Sequence, residues 1–480
     1  MDISLLGGWL DDGFMGKSFR SYDLNQPLLL SPSLHDWLPE DHLARFLADV
    51  IETLDLSAIY RSYDEKDGRG QSAYAPAMML GLLLYGYATG TYSSRKIQTK
   101  TYEDLAFRFL SADQHPDHST LAEFRKRHLT ALAGLFLQAL QLCEQAGLVK
   151  LGHIAIDGTK IKANASKHKA MSYDRMEETE QRLKREIDAL LRQAAEADAS
   201  EDTRYGKDKR GDELPDELRR RESRLKKIAQ ARAELEQAAR EKAEQQRTEA
   251  EEKLSERREK EEQTGKKAPG KAPNVPVPEE AKPKPKDQRN FTDSESRIMP
   301  DGANKGSFFE GYNAQAAVDS KTQVIVAADI TQQTNDKQQL LPMLALVEAN
   351  MGRKPDAVSA DAGYWSEPNV TDPALGGIDL YIAVERIKHG EVIETASGLP
   401  PSEATAKEAM QHKLRTEAGK AIYKMRKAVV EPIFGQIKER RNFRRFSLRG
   451  YDNVCAEWKL VCATSNLLKL FRYGWTPEIA

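Results

Sequence analysis

Three acids stand out by their settings. Asp157 ends the apolar run of HIAIDGTKIKANAS (153–166), where Ile154 and Ile156 alternate with His153 and Ala155 as in a short strand. The Asp-Gly pair should then break that strand. Asp361, in VSADAGYWSE, repeats the arrangement: a β-rich apolar segment ends in Asp, and small residues follow. A turn aspartate explains either one alone. Two adjacent strands that each deliver an acid at one end set two carboxylates side by side, and each raises the other's pKa unless a cation sits between them. A hard divalent ion does that, and Mg²⁺ takes a few carboxylates together with water and phosphate. The third acid, Glu431, lies in IYKMRKAVVEPIFGQIKERRNFRRF, a helical C-terminal segment. Two strand aspartates and a helix glutamate can hold two metal ions. One would generate the nucleophile from water or a 3′-hydroxyl, and the other would stabilise the leaving oxygen of an in-line phosphoryl displacement.

Glu431 stands among bases. Between 413 and 449 there are twelve Lys or Arg against three Glu. Tyr423 and Arg426, three apart, share a helix face, and Glu431 and Lys438, seven apart, share another. An acid among bases can be a structural ion pair. Here Lys438, Arg440, Arg441, Arg444 and Arg445 outnumber the acids, so the surplus must face something anionic, for which a phosphate backbone is the natural partner.

The elements that must position these residues follow from patterning. A mostly helical region runs from about 30 to 148; YAPAMMLGLLLYGYATG opens with a proline suited to a helix start, and STLAEFRKRHLTALAGLFLQALQLCEQAG opens on the N-cap candidate Ser119. Short helices of this kind suit DNA contact and equally suit a helical scaffold. From 172 to 263 the chain is dense in charge, with Met176, Leu183, Ile187 and Leu190, then Leu218, Leu225, Ile228 and Leu235, at heptad-like steps. An antiparallel helical hairpin is predicted, turning at EDTRYGKDKRGDELPDE. The Pro- and Lys-rich stretch 264–289 reads as a disordered or extended linker. GYNAQAAVD and TQVIVAADI then form a strand hairpin, a helix starts at Asn335 and ends before Gly352, and strands at DAVSAD and DLYIAVE precede a helical tail from 413 to 473. This mixed α/β order makes the charged segment an interruption of one domain. The expected organisation is a helical N-terminal domain (1–150), a catalytic domain (151–171 and 290–480), an inserted coiled-coil hairpin (172–263) and a linker (264–289).

Net charge is −2 over 480 residues with pI about 6.6, so the chain as a whole is no polybasic nucleic-acid binder. Three scattered cysteines, Cys143, Cys455 and Cys462, suggest a reduced compartment. MDISLLGGWLDDGF lacks the pattern of a secretory signal, and AMMLGLLLYGYATG is too short to span a bilayer. A cytoplasmic protein with no membrane partner is expected.

At these motifs the chain resembles the bacterial insertion-sequence DDE transposases, in the branch with a helical N-terminal transposase domain and a Tyr–Arg–Glu–Lys signature. AIDGTKIKANAS resembles the first-aspartate segment, GYNAQAAVD the hairpin, ADAGYWSE the second-aspartate segment and VEPIFGQIK the glutamate segment. The resemblance covers roughly 17–170 and 290–473 and leaves the coil and linker outside. It implies a ribonuclease-H-like catalytic domain in which Asp157, Asp361 and Glu431 are the catalytic acids and ligands of two Mg²⁺ (or Mn²⁺) ions. It places Tyr423, Arg426, Lys427, Lys438, Arg440 and Arg441 on DNA. It further implies terminal inverted repeats and target DNA as substrates, a homodimer in a synaptic complex, and a nucleoid-associated location. The sequence departs from the signature at one point: Arg426 lies four intervening residues before Glu431 where the family has three, and Lys427 holds the expected place. Pro432 suggests a break that would absorb the extra residue. A metal-dependent nuclease without strand transfer and a catalytically inactive DNA-binding assembly protein are the competing readings.

Other residues carry blander expectations. Tyr364 and Trp365 suit a core or lid more than stacking on a base. His115, His118 and His128 show no zinc-ligand spacing. Asp319 and Asp329 flank the strand hairpin, Asp319 reading as a turn residue, and Asp293 and Asp336 read as capping or surface acids. Lys160 and Lys162 suit a phosphate and a solvated edge equally.

Overall fold

Among the described residues, eight helices precede the first strand: α1 (Leu34–Trp37), α2 (Leu43–Thr53), α3 (Ser57–Asp64), α4 (Pro76–Thr89), α5 (Ser94–Glu103), α6 (Leu105–Leu110), α7 (His118–Arg127) and α8 (Leu129–Gln145). The computed structural model describes residues 33–64, 72–205, 216–265, 267, 270–302, 304, 306–385 and 394–477. α4 is apolar on every side and is buried accordingly, with Leu80, Leu82, Leu83 and Leu84 all inaccessible. It starts on Pro76 and ends at Gly90, whose φ of 83° is the left-handed conformation glycine adopts freely. The single helix expected from Ser119 is two helices. Asp117 is the cap, accepting from the Ser119 amide at 2.7 Å, and His128 leaves helical geometry to separate α7 from α8.

The strands are β1 (His153–Lys162), β2 (Ala170–Ser172), β3 (Gln288–Asn290), β4 (Arg297–Pro300), β5 (Phe308–Asp319), β6 (Ile325–Thr331), β7 (Ala357–Ala360) and β8 (Asp379–Ile382). Six of them form one sheet in the order β4-β5-β1-β7-β8, with β6 also paired to β5. β1 is antiparallel to β5 and parallel to β7, which is parallel to β8. The expected strand hairpin is β5 and β6. β1 does not stop at the Asp-Gly pair: its ladder with β5 continues to Lys162 opposite Gly311. Gly158 is there for close approach, not for a turn, because a Cβ would lie 2.4 Å from Gln315 Nε2 and 2.7 Å from Asp336 Oδ1.

The helices that follow are α9 (Tyr173–Tyr205), α10 (Asp216–Thr264), α11 (Leu340–Met351), α12 (Glu367–Val370), α13 (Ala406–Arg415), α14 (Glu417–Gly435) and α15 (Tyr451–Arg472). α14 lies across β1, β5, β7 and β8, while α15 packs on β6, α4 and α8. One continuous core therefore runs from Leu38 to Leu470 and joins the N-terminal helices to the sheet. At that seam the buried Glu457 accepts from the Tyr87 hydroxyl at 2.9 Å and from the Ser447 and Leu448 amides at 2.9 and 3.0 Å. α11 begins at Leu340 and not at Asn335, because the Asp336 side chain is engaged by sheet amides instead of entering a helix.

α9 and α10 pack through Met176, Leu183, Ile228, Ala231 and Leu235, a small core separate from the main one. β2 and β3 pair antiparallel at the root, so both ends of the insertion meet there. The tip, 206–215, lies outside the described residues, as do 1–32. Tyr173 bonds to Glu236, so α10 runs well past the start of α9. The linker covers that overhang instead of wandering free: Pro278 is buried, Arg257 donates to the Gly270 carbonyl at 2.9 Å, and Ala243 and Ala250 are buried on α10. Pro432 does not interrupt α14, and the irregular turn comes later, as a π turn at Gln436–Arg440. Among the described residues no helix is long and apolar enough to cross a membrane.

Candidate active site

The parallel register of β1 and β7 pairs Ile156 with Ala360, its last pair. The next residue on each strand is an acid, Asp157 and Asp361, so the two stand side by side where the strands part. Asp157 Oδ1 accepts the Gly158 amide at 2.8 Å, and Oδ2 accepts Arg426 Nη1 at 3.0 Å. Burial pushes the Asp157 pKa up to about 6; Arg426 opposes this, and Asp361 and Asp336 add to it. Asp361 caps the turn that follows, accepting the Gly363 amide at 2.8 Å. A side chain at Gly363 would meet that same carboxylate, 2.9 Å from its Cβ.

Arg426 comes in from α14. It is buried; burial works against its charge, yet Asp157, Tyr423, Asp361 and Glu431 together raise its pKa. Tyr423 lies one turn back with its ring centroid 5.7 Å from the guanidinium carbon. Arg426 is thus a buried partner of the site acids, whereas Lys427 is exposed. Glu431 is the member left outside: its side chain is 56% exposed and stands 4.0 Å from Arg426 Nη2. Among the described residues no group of three or more His, Cys, Asp or Glu side chains is gathered closely enough to hold a metal. Of the three expected acids, Asp157 and Asp361 follow the last β1–β7 pair, and Arg426 lies 3.0 Å from Asp157 and 4.0 Å from Glu431.

Asp336, expected to be a capping or surface acid, belongs to this site. Its Oδ1 accepts Asn313 Nδ2 at 2.6 Å and Gln315 Nε2 at 2.7 Å, and Lys160 Nζ lies 3.4 Å away. The signal for it was in β5: Asn313 and Gln315 are two apart, so both amides leave the same face of the strand. The buried Tyr364 donates its hydroxyl to Gln315 Oε1, completing the wall as a core residue.

Beside Gly158 a groove of about 580 Å³ is lined by Lys160, Lys162, Lys438, Arg444 and Phe309. Lys438 lies in the π turn and donates to the Lys160 carbonyl at 3.0 Å; burial lowers its pKa. Arg440 is exposed nearby. Arg441, expected at a phosphate, is instead buried and donates to Thr464 Oγ1 at 2.8 Å and Ser465 Oγ at 2.5 Å, tying the turn to α15. The histidines do not converge: His115 stacks on Tyr102, His118 bonds to Gln98, and His128 stacks on Tyr63. Asp319 is a turn residue as expected, accepting the Leu151 and Lys321 amides.

Residues 32–127 match the family described as a transposase domain (DUF772), and residues 272–467 match the transposase DDE domain. The chain belongs to the insertion-sequence DDE transposases. The two matches together span more than half of this transposase. Asp361, Tyr423, Arg426, Glu431 and Lys438 lie inside the second match, while Asp157 and most of the insertion lie between the two. No curated protein and no solved structure matches the chain.

The donor set of the Asp157–Asp361 pair suits a hard divalent ion. Both offer carboxylate oxygens; burial is the main cause of the raised Asp157 pKa, and the neighbouring Asp361 and Asp336 add repulsion that a cation would offset.

Proposed function

We propose that this transposase cleaves and joins DNA ends by metal-dependent phosphoryl transfer, with Asp157 and Asp361 holding a divalent ion and Glu431 as the third acid. The observation that carries this reading is the register of β1 and β7, which sets the first two acids next to each other. Mg²⁺ or Mn²⁺ bound there would ease ionisation of the attacking hydroxyl and offset charge on the leaving oxygen. The chain's own residues do the rest. Arg426 keeps Asp157 ionised and oriented, Asn313 and Gln315 hold Asp336 behind the pair, and Lys160, Lys162, Lys438 and Arg444 offer a basic bed for the phosphate backbone. Glu431 shares α14 with Arg426, 4.0 Å from its guanidinium, and a second ion would need the Glu431 carboxylate.

The proposed organisation is a helical N-terminal domain over 1–150, a ribonuclease-H-like catalytic domain over 151–171 and 290–480, and a coiled-coil insertion between them. The substrates are terminal inverted repeats and target DNA, bound by a homodimer at the nucleoid in the cytoplasm. The test is a single-turnover reaction of the full chain with a duplex carrying the inverted repeat that flanks its gene, in Mg²⁺ and in chelator. Nicked ends and joined products, both lost in chelator, are expected. Cleavage without joining would leave a nuclease, and specific binding without cleavage would leave an inactive assembly protein.

A further inference from the structure

Charge in the insertion is mixed along the sequence but sorted in space. Several cations of the hairpin are paired with its own acids: Arg221 with Glu186 at 3.1 Å, Arg232 with Glu180 at 2.6 Å, and Arg247 with Glu251 at 2.8 Å. One face differs. Beside the root, a cleft of about 900 Å³ opens between α10 and the segment around β2, lined by Lys169, Arg175, Arg219, Arg220, Arg224 and Lys227 with no acid among its lining residues. All six cations are exposed. Among the described residues none of the six is in an ion pair, in contrast to their neighbour Arg221. Arg220, Arg224 and Lys227 follow helical steps of four and three, so they line one face of α10. Apolar Met171, Ile228 and Phe291 form the floor and fix it to the hairpin core.

We propose that this cleft is a second DNA-backbone site, separate from the catalytic groove, that grips phosphates of the duplex whose end lies at Asp157. The inference rests on the transposase reading and adds a role for the insertion. Six cations gathered on both sides of one cleft, with no acid among its lining residues, make a concave positive surface that suits an anionic partner, and the substrate class of the family supplies one with regularly spaced charge. Reach agrees with this. Asp157 and Lys169 are twelve residues apart, a span of about 42 Å at most for an extended chain. At 3.4 Å per base pair that is about a dozen pairs. A duplex end in the catalytic groove can therefore extend to the cleft within about one helical turn.

The test uses the full chain and a fluorescein-labelled 30-base-pair duplex of inverted-repeat sequence, with affinity measured against salt. Replacing the cations together (Arg220→Gln, Arg224→Gln, Lys227→Gln) should weaken binding and lower the magnitude of the log–log salt slope by about 2.7, about 0.9 for each lost phosphate contact. Thermal unfolding should not move, since all three side chains are exposed. A second variant, Ser223→Cys, carries an azidophenacyl photocrosslinker into the cleft and should crosslink to the duplex about a dozen pairs or fewer from its end. An unchanged salt slope with no crosslink at position 223, while the parent binds normally, would overturn the cleft and leave the transposase reading intact; it is the result expected if an acidic protein segment is the true occupant. A parent chain that binds no duplex would sink both.

Discussion

At the scale of single residues, the site is governed by what burial does to Asp157. Its pKa of about 6, against 3.8 when exposed, means that the folded chain holds this proton more tightly than the unfolded chain does. The contribution to stability is therefore most favourable below about pH 4 and is lost as pH rises through 6, amounting to about 3 kcal/mol for a shift of roughly two units. Without divalent ions, Asp157→Asn should be more stable than the parent at pH 8 and should have no advantage at pH 4, as read by urea unfolding at the two pH values. A variant less stable at pH 8 would mean that the Arg426 pair outweighs burial. The same logic separates Arg426 from Lys427. Arg426→Met leaves a buried carboxylate without its cation, a loss of about 3–5 kcal/mol, whereas Lys427→Met on the exposed face should stay within about 0.5 kcal/mol. Equal effects in unfolding experiments would contradict the inward placement of Arg426.

At the scale of elements, the insertion is a unit with its own small core, and its ends meet in the β2–β3 pair. Removing 173–287 and joining Ser172 to Gln288 through an Asn-Gly turn should leave a cooperatively folded protein melting within about 5 °C of the parent. Cutting only 172–263 should do worse, because it strands the linker that covers α10. A calorimetric scan of the first variant with no cooperative transition would show that the sheet depends on the coil. Periodicity made the hairpin legible, since Met176, Leu183, Ile228 and Leu235 mark its seam. It could not show that α10 overshoots α9, because the overhang buries only Ala243 and Ala250 and is covered by a proline-rich strap that has no period. The strand ends misled for a similar reason. Asp157-Gly158 has the composition of a turn, and only the amides of Asn313 and Gln315 packed against it reveal a glycine chosen for space. Asp361 was legible from its strand. Asp336 was legible only indirectly, because what defines it, the Asn313 and Gln315 amides, lies on β5.

At the scale of the whole molecule, the helical N-terminal region and the sheet share one core, closed by contacts such as Tyr87 to Glu457 and Cys143 beside Asn466. Asp157 and Asp361 thus sit in a frame that, among the described residues, joins the N-terminal helices to the sheet. Two basic surfaces, one beside Gly158 and one at the hairpin root, are the places where the proposed DNA contacts would fall. The proposed mechanism requires that the paired acids perform the reaction. The direct measurement is single-turnover cleavage of a duplex bearing the terminal inverted repeat, in Mg²⁺, by the parent, Asp157→Asn and Asp361→Asn, with binding to the same duplex measured in parallel. Loss of one metal-binding carboxylate should slow cleavage at least about a hundredfold, equivalent to about 2.7 kcal/mol of barrier, while affinity for the duplex changes by less than about threefold. Cleavage by either variant at the parent rate would contradict it.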